Sequence, residues 1–370
     1  MRICFITTGD IEQLATMKRA TGMAKPLLET GNEVALIVLD TENNRRRILL
    51  EAPNVASLFF KTGNFKSEIA QKNKLIEEWQ PDVIYVCAFV VRNYIYKKNL
   101  KGVLSVVEHS ELRSAITDGK WYKRYIELFL ENMSLFKFSG QVLASRYLEE
   151  VFQEKLRSFK IKRPLLYSPY AYNKEILQMP STNAIDNLRA EYDGKKVILY
   201  MGTLSLNYGF LDIIKAFEIL TQKRTDVVLL IMGNGRHKSI GKEYINEQKL
   251  HDTVKFLGYV AEEELSLYFG MANAFVSPIN NTIQDKARCP SKLFMYLAFK
   301  KPVITCKVGE AASLFKDNGY YYQPGNTQQL SQVMAEAIDS NLLKHDVNIQ
   351  KHTWGARTQE FINWIKDIKK

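Results

Sequence analysis

The sequence is poor in the residues that mark several common classes of protein. Four of its 370 residues are cysteine, and no two of them form a CxxC pair. This spacing suggests neither a disulfide framework nor a cysteine-based zinc site. Cys4, Cys87 and Cys306 lie in or beside apolar runs that predict strands, where we expect buried, unreactive thiols.

Long apolar runs are lacking as well. No run reaches the roughly 18–20 residues that a helix needs to cross a bilayer. The short apolar run in the opening MRICFITTGD predicts a strand. This segment has neither the long apolar core nor the cleavage site of a signal peptide. These features predict a cytoplasmic protein. A GxGxxG turn is also missing after the first strand, which argues against a nicotinamide dehydrogenase.

Basic residues are in excess. The formal net charge is +11, most of it in the first half, within an ordinary globular composition of 46% hydrophobic and 25% charged residues. Such a charge favours nucleic acid, an anionic membrane or a phosphate-bearing ligand and does not choose among them.

Short apolar runs alternate with helix-length segments along the whole chain, which is typical of parallel sheets covered by helices on both faces. The pattern restarts after the polar stretch 179–196, so we predict two α/β domains, 1–175 and 176–353. The last segment, 354–370, predicts an amphipathic helix. Ligands of such sheets bind outside the carboxyl ends of the strands, so the loops there are the candidate sites.

Two glycine loops follow adjacent predicted strands of the second half. The first is Gly202-Thr203, and the second is Gly233-Asn234-Gly235. Each loop alone is explained by turn formation. A third segment, Pro290-Ser291-Lys292, opens a short helix with a hydroxyl and a lysine. The three together predict a site for a phosphate-bearing ligand.

The first half offers two further strand-end loops. Gly9-Asp10 follows the first strand, where the glycine serves either a plain turn or the close approach of a ligand. His109 follows the fifth strand between Glu108 and Glu111. Histidine is the most common proton-transfer side chain, and the alternative is an imidazole that a neighbouring backbone carbonyl satisfies.

Segment 119–138 predicts a helix with aromatic and basic residues close together. Trp121, Tyr125, Leu128 and Phe129 share one face, and the nearby basic residues are Lys120, Lys123 and Arg124. This is either a core helix with a solvated basic edge or an interfacial helix that binds anionic lipid. The run 92–98 (RNYIYKK) would extend the same patch. Aromatic and basic residues also bind single-stranded nucleic acid, but the chain lacks a recognisable RNA-binding motif.

Six segments in chain order carry a resemblance to a known family. They are VVEHSEL, QVLASRYLEEVF, LYMGTLSLNYGFLDIIKAF, LLIMGNGR, VKFLGYVAEEELSLYFGMANAFVSP and RCPSKLFMYLAFKKPVI. The ordered set resembles the retaining glycosyltransferases of family 4 (glycosyl transferases group 1), most specifically the subgroup with Gly-Thr in the first loop and Pro-Ser-Lys at the helix start. The resemblance covers essentially the whole chain and is most specific over 196–305.

The resemblance implies the GT-B fold, in which two doubly wound, Rossmann-like domains face a cleft and the final helix crosses back to the N-terminal domain. It implies an acceptor held mainly by the first domain and a nucleotide diphosphate sugar, UDP- or GDP-linked, held by the second as co-substrate, with no other cofactor and no metal. The implied catalytic residues are His109, Lys292 and Arg288. The implied donor-binding residues are Gly202, Thr203, Gly233, Asn234, Gly235, Tyr259, Val260, Pro290, Ser291, Lys292, Leu293 and Met295. The implied acceptor-binding residues are Gly9, Asp10 and Glu111.

The chain departs from the family at the pair Glu-x7-Glu, which falls on Ala287 and Met295. A thioether is a weak acceptor compared with a carboxylate, so ribose recognition is expected to differ. The basic residues of the family's first loop fall on Thr203 and Tyr208, so Lys292 and Arg288 are the candidate cations.

The predicted function is sugar transfer to an acceptor hydroxyl with retention, in the assembly of cell-surface polysaccharide or glycolipid. The predicted partners are the donor, a glycan or lipid-linked acceptor and an anionic membrane surface, without nucleic acid. Two alternatives stay open: a catalytically degenerate partner subunit, and a nucleotide-sugar epimerase of the same fold.

Overall fold

The computed structural model describes residues 1–11, 16–116, 121–340 and 342–369. Contacts divide the chain into two compact units. The first comprises Met1–Ala171, Ala287–Cys289 and Gln350–Lys370, and the second comprises Tyr172–Lys286 and Pro290–Ile349. Among the described residues, no helix combines the length and the apolar character that a bilayer crossing requires.

The first unit contains a seven-stranded parallel sheet with the order β3-β2-β1-β4-β5-β6-β7. Its strands are β1 Arg2–Ile6, β2 Glu33–Leu39, β3 Ala56–Phe60, β4 Val83–Val86, β5 Leu104–His109, β6 Gly140–Leu143 and β7 Leu165–Tyr167. Its helices are α1 Thr16–Glu29, α2 Glu42–Glu51, α3 Phe65–Trp79, α4 Lys97–Leu100, α5 Trp121–Lys137 and α6 Arg146–Ser158.

The second unit contains a six-stranded parallel sheet with the order β10-β9-β8-β11-β12-β13. Its strands are β8 Lys196–Met201, β9 Val227–Met232, β10 Val254–Gly258, β11 Ala274–Ser277, β12 Val303–Thr305 and β13 Tyr320–Tyr321. The remaining helices are α7 Thr182–Ala190, α8 Phe210–Thr221, α9 Lys238–Glu247, α10 Glu262–Met271, α11 Ile283–Ala287, α12 Ser291–Leu297, α13 Gly309–Phe315, α14 Thr327–Asp339 and α15 Trp354–Lys369.

The central strands are continuous apolar runs because helices cover both faces of each sheet. All six residues of β9 and all four of β4 are buried. In the first unit, helices α2, α3 and α6 begin at side chains that accept a hydrogen bond from the backbone of the first turn: Thr41, Asn64 and Ser145. The two units therefore follow the doubly wound pattern that the alternating sequence predicts.

Helix α15 packs on α1 within the first unit. A Cβ atom on Gly22 of α1 would lie 2.4 Å from the Trp354 indole, so only glycine permits this approach. Phe361 of α15 makes an edge contact with Tyr85 of β4, with ring centroids 5.4 Å apart. The end of the chain is thus built into the unit that contains its beginning.

Candidate functional site

The loops that follow β8, β9 and β10 contact one another through backbone atoms. The Leu204 N–H donates to Asn234 O at 3.0 Å, and the Gly233 N–H donates to Gly258 O at 2.6 Å. Gly233 has φ +115°, and a Cβ atom there would lie 2.1 Å from Gly202 O. Any larger residue would push the two loops apart, so the predicted glycine loops do form one surface at this edge of the sheet.

Lys292 of α12 lies against the first of these loops. Its Nζ is 4.4 Å from the centroid of the Tyr200 ring and 3.3 Å from the position that a Cβ atom on Gly202 would take. Helix α12 is tied to the end of β8, because the Met201 N–H donates to the Tyr296 hydroxyl at 2.8 Å. The structure thus brings together Gly202 and Lys292, which are 90 positions apart in sequence.

The other predicted donor residues of the second unit belong to the same loops or to α12, where Leu293 is fully buried. The Asn234 side chain accepts from Lys238 Nζ at 2.9 Å, and Thr203 O accepts from the Tyr200 hydroxyl at 3.1 Å. Tyr259 directly follows β10 and is exposed. The remaining members are in or beside the same loops and α12: Gly235, Val260, Pro290, Ser291 and Leu293. Their contact with a donor stays a prediction.

Met295 lies inside the second unit. It is 6% exposed and belongs to the apolar core cluster of that unit. Ala287 is fully buried in the short first-unit segment 287–289, where its carbonyl accepts from the Ser145 hydroxyl at 2.7 Å. Arg288 lies in this segment and is half-buried. Both positions of the family's carboxylate pair are therefore filled by buried apolar side chains.

His109 is the last residue of β5 rather than a residue of the following loop. Its Nε2 is 3.1 Å from Gln141 Oε1 and 3.2 Å from Ser134 Oγ, and its ring packs on Phe152 at 4.2 Å. Burial lowers its pKa to about 3, so the imidazole is neutral at pH 7. Since Gln141 Oε1 is an acceptor, Nε2 carries the proton and Nδ1 is an acceptor.

A buried ion pair beside His109 was not predicted. Arg19 Nε is 2.9 Å from Glu108 Oε2, and the Arg19 guanidinium also donates to Ser168. The Tyr85 hydroxyl donates to the same carboxylate at 3.2 Å. Burial works to lower the pKa of Arg19, but Glu108 outweighs it and raises that pKa, so the guanidinium stays charged. An arginine amid the apolar face of α1 was the sequence signal for this pair.

The predicted acceptor residues of the first unit are held by local partners. Asp10 accepts from the Asn43 side chain at 3.2 Å, and Gly9 O accepts from Asn44 at 3.2 Å. Glu111 accepts from Arg113 at 3.2 Å. Contact of these residues with an acceptor stays a prediction. Among the described residues, no group of three or more His, Cys, Asp and Glu side chains is placed to hold a metal ion.

The first turns of α5 are not a core helix. Trp121, Tyr125 and Phe129 are 77%, 64% and 63% exposed, and Leu128 is exposed as well. The expectation of a core helix with a solvated edge is therefore wrong for this half of α5, because its aromatic face meets solvent. Lys120 lies outside the described residues.

Comparison with known proteins gives a match to one family model. Residues 182–354 match the model described as glycosyl transferases group 1. Alpha-monoglucosyldiacylglycerol synthase of Streptococcus pneumoniae is 20% identical over 405 aligned positions, which cover 100% of this chain and 89% of that protein.

Two solved structures share the fold over the whole chain. HepE of Anabaena, in complex with UDP and glucose, is 16% identical with a TM-score of 0.70, covering 100% of this chain and 98% of that one. Sucrose-phosphate synthase of Thermosynechococcus elongatus is 15% identical with a TM-score of 0.76, covering 100% of this chain and 99% of that one. The two sheets and the return of α15 to the first unit are thus the GT-B arrangement that the motifs predict.

Proposed function

The chain is a glycosyltransferase of the group 1 family, and from this premise we propose that it moves a sugar from a nucleotide diphosphate sugar to an acceptor hydroxyl with retention at the anomeric carbon. The observation that carries the proposal is the surface formed by the Gly202 and Gly233 loops with Lys292 at its edge. Backbone amides and a lysine amine are the groups that hold a diphosphate without a metal ion.

Lys292 has the central role in this mechanism. Negative charge builds up on the diphosphate as the bond to the sugar breaks, and the Lys292 amine stabilises that charge together with loop N–H groups. Arg288 is the second candidate cation. The departing phosphate then takes the proton of the acceptor hydroxyl on the same face of the sugar.

His109 orients the sugar or the acceptor as a neutral imidazole. A base with a pKa of about 3 is a poor proton acceptor at pH 7, so its role is hydrogen bonding rather than proton transfer. His109→Ala is expected to reduce turnover more than donor affinity. Wild-type turnover in this variant would remove His109 from the mechanism.

UDP is the donor nucleotide that we propose, since HepE is solved with UDP and glucose. The name of the streptococcal relative supports a lipid acceptor, and hence work at a membrane surface in glycolipid or polysaccharide assembly. Anomeric configuration of the product, read by NMR, tests retention; an inverted product would contradict it.

Calorimetry of nucleotide binding tests the site itself. UDP, GDP and ADP are titrated into the wild-type chain, Lys292→Ala and the control Lys242→Ala, which removes an exposed lysine of α9. We expect Lys292→Ala to weaken UDP binding by roughly 30-fold, since a hydrogen bond to a charged group contributes about 1.5–3 kcal/mol. The control is expected to bind as the wild type does. Equal affinity in all three proteins would overturn the site.

The lack of both family carboxylates favours a second candidate, a partner subunit without activity of its own. This candidate predicts a folded protein that binds none of the three nucleotides. This candidate is rejected if the chain binds UDP tightly and also releases UDP from a UDP-sugar when an acceptor is present. Release of a free epimer without acceptor would instead identify an epimerase.

A further inference from the structure

The outer face of α5 exposes an aromatic stripe along the helix. Trp121, Tyr125 and Phe129 follow one another at four-residue intervals and therefore share one face over about 12 Å. The stripe is bordered or continued by further exposed apolar residues: Tyr122, Ile126, Leu128 and Phe136. Contiguous apolar surface of this kind on a globular protein marks an interaction site.

The carboxylates of α5 are bound on its other side. Glu127 accepts two hydrogen bonds from Arg113 at 2.8 and 3.0 Å. Glu131 is buried and accepts from the Ser114 N–H and hydroxyl at 2.9 Å each. Lys123 and Arg124, in contrast, are exposed. Arg124 follows Trp121 by three residues and borders the stripe, whereas Lys123 lies on the side of the helix that carries Glu127, four residues later. The exposed surface of these turns is therefore aromatic on one side and basic at its border.

The same character continues onto neighbouring elements of the first unit. Lys137 Nζ lies 3.9 Å from the Tyr94 ring, and Tyr94 and Tyr96 are exposed just before Lys97 and Lys98. This extends the surface to the run that begins at Arg92. At the same C-terminal end of the helix the Phe136 and Phe159 rings are 5.5 Å apart, and both are exposed. Exposed basic residues flank Phe159: Arg157, Lys160 and Lys162.

We propose that this surface, the stripe of α5 with Tyr94, Tyr96 and Phe159, binds the headgroup region of an anionic lipid bilayer with α5 lying in the membrane plane. Aromatic rings settle at the boundary between headgroups and acyl chains, and the basic residues at their edge attract anionic headgroups. Glu127 and Glu131 are bonded on the other side of α5, so their negative charges do not face the anionic headgroups. A second copy of the chain is the poorer occupant, because a two-fold interface would set the same basic residues against each other.

This surface deepens the proposed function, since it would hold an enzyme with a lipid acceptor at the membrane that contains the acceptor. The link to a lipid acceptor rests on the proposed function, but binding to lipid is measurable without donor or acceptor. The full chain is therefore mixed with phosphatidylcholine vesicles, with and without phosphatidylglycerol, and sedimented. We expect binding to the vesicles that contain phosphatidylglycerol and a loss of binding as salt is added.

Replacing the stripe tests its contribution. The triple variant Trp121→Ser, Tyr125→Ser and Phe129→Ser is expected to bind these vesicles on the order of 100-fold more weakly, because three apolar side chains no longer leave water. The matched control changes three exposed apolar residues elsewhere to serine: Leu49, Met179 and Leu342. We expect the control to bind as the wild type does.

Replacing the basic residues tests the headgroup contact. Lys123→Ala with Arg124→Ala is expected to weaken binding by roughly 30-fold, at about a fivefold loss for each basic residue near an anionic surface. Lys242→Ala with Lys249→Ala removes the same net charge from the second unit and is expected to leave binding unchanged. Equal losses in both pairs would show attraction by net charge and overturn this surface.

Fluorescence locates the contact. Of the four tryptophans, all within the described ranges, Trp121 alone is exposed. Vesicles are expected to shift the tryptophan emission of the wild-type chain to the blue, and Trp121→Phe is expected to abolish the shift. A shift that persists in Trp121→Phe would place the contact elsewhere.

Three results separate the outcomes. No binding of the wild type to anionic vesicles, or equal binding of the triple variant, overturns the proposal. A wild-type dimer that the triple variant abolishes, together with no lipid binding, assigns the stripe to a second copy instead. Unchanged UDP affinity in the triple variant shows that the donor site is intact, so lipid binding without UDP binding would sink the proposed function while the membrane surface stands.

Discussion

In the second unit, the loops after β8, β9 and β10 meet through backbone atoms, whereas in the first unit the ends of β4 and β5 are joined by buried side chains. Gly233 and Gly202 lie so close that no Cβ atom fits between them, and Lys292 lies against the Tyr200 ring beside them. Tyr85 and Glu108 instead lock onto Arg19, which is fully buried. The backbone surface suits a ligand with many phosphate oxygens, while the side-chain cluster ties β4 and β5 to α1.

The difference also predicts how each region fails. A surface formed by closely packed backbone is disrupted when a substitution adds a side chain, because the added atoms force the loops apart. A buried ion pair fails when one partner is left alone, because an uncompensated charge in the interior is costly. Four variants, ordered by the size of the expected effect, test this contrast.

Arg19→Met is expected to give the largest loss. It leaves the Glu108 carboxylate buried without its cation, which costs about 3–5 kcal/mol of unfolding free energy. Urea unfolding measures the loss, and Lys74→Met, which breaks an exposed pair with Glu78, is the control at about 0.5 kcal/mol or less. Adding Glu108→Gln to Arg19→Met should recover part of the loss. A loss as small as that of the control would show that the pair contributes little.

Gly233→Ala is expected to follow. Its Cβ would collide with Gly202 O, so the loops must separate at a cost of about 3 kcal/mol, and UDP affinity should fall with them. The control is Gly325→Ala, which also has positive φ but has no heavy atom within 4 Å of the added Cβ. It should cost about 1–2 kcal/mol and leave UDP affinity intact. Equal UDP binding in both variants would contradict a ligand at the loops.

His109 should make stability depend on pH. The pKa of its folded form is about 3, below the value of about 6.5 in the unfolded chain, so the unfolded state alone takes up a proton between them. Stability is therefore full above pH 6.5 and falls by up to roughly 1.4 kcal/mol per pH unit as the pH drops towards 3.

Unfolding of the wild type and His109→Gln between about pH 7 and 5 measures this difference. The variant should lose less stability on acidification. His352, whose burial lowers its pKa to about 4, is present in both proteins and cancels. Parallel curves would mean that His109 is accessible to protons in the folded state.

Met295→Leu is expected to have the smallest effect. The side chain lies in the core of the second unit, and a swap that conserves volume costs less than about 1.5 kcal/mol. UDP affinity should change by less than about tenfold, since a thioether is a weak acceptor. A larger loss of affinity would reveal a direct contact between the sulfur and the nucleotide.

The same contrast explains what the sequence could predict. Glycine loops and apolar strands are local signals, so the central strands and the convergence of Gly202, Gly233 and Lys292 were predictable. The edge strands β7 and β13 have three and two residues, too few to show a period. Helix α7 lies in the polar stretch 179–196, after which the sequence pattern restarts and within which no helix was predicted.

The partners of side chains were beyond the sequence because tertiary contacts choose them. Glu108 and His109 were predicted to belong to a loop, but they end β5, and their partners come from α1, α5 and β6. The exposure of α5 was likewise open, since its aromatic face fits a core as well as a surface. The roles of the individual site residues stay predictions until nucleotide binding is measured.

The seat of Trp354 against Gly22 has a consequence for how the protein is made. The first unit is incomplete until synthesis has passed Trp354, although all seven strands of its sheet leave the ribosome long before. The second unit is contiguous over most of its length and emerges in between, so it can fold while the face of α1 at Gly22 is not yet covered by α15. A nascent chain stalled before Trp354 therefore exposes that face of α1 to chaperones.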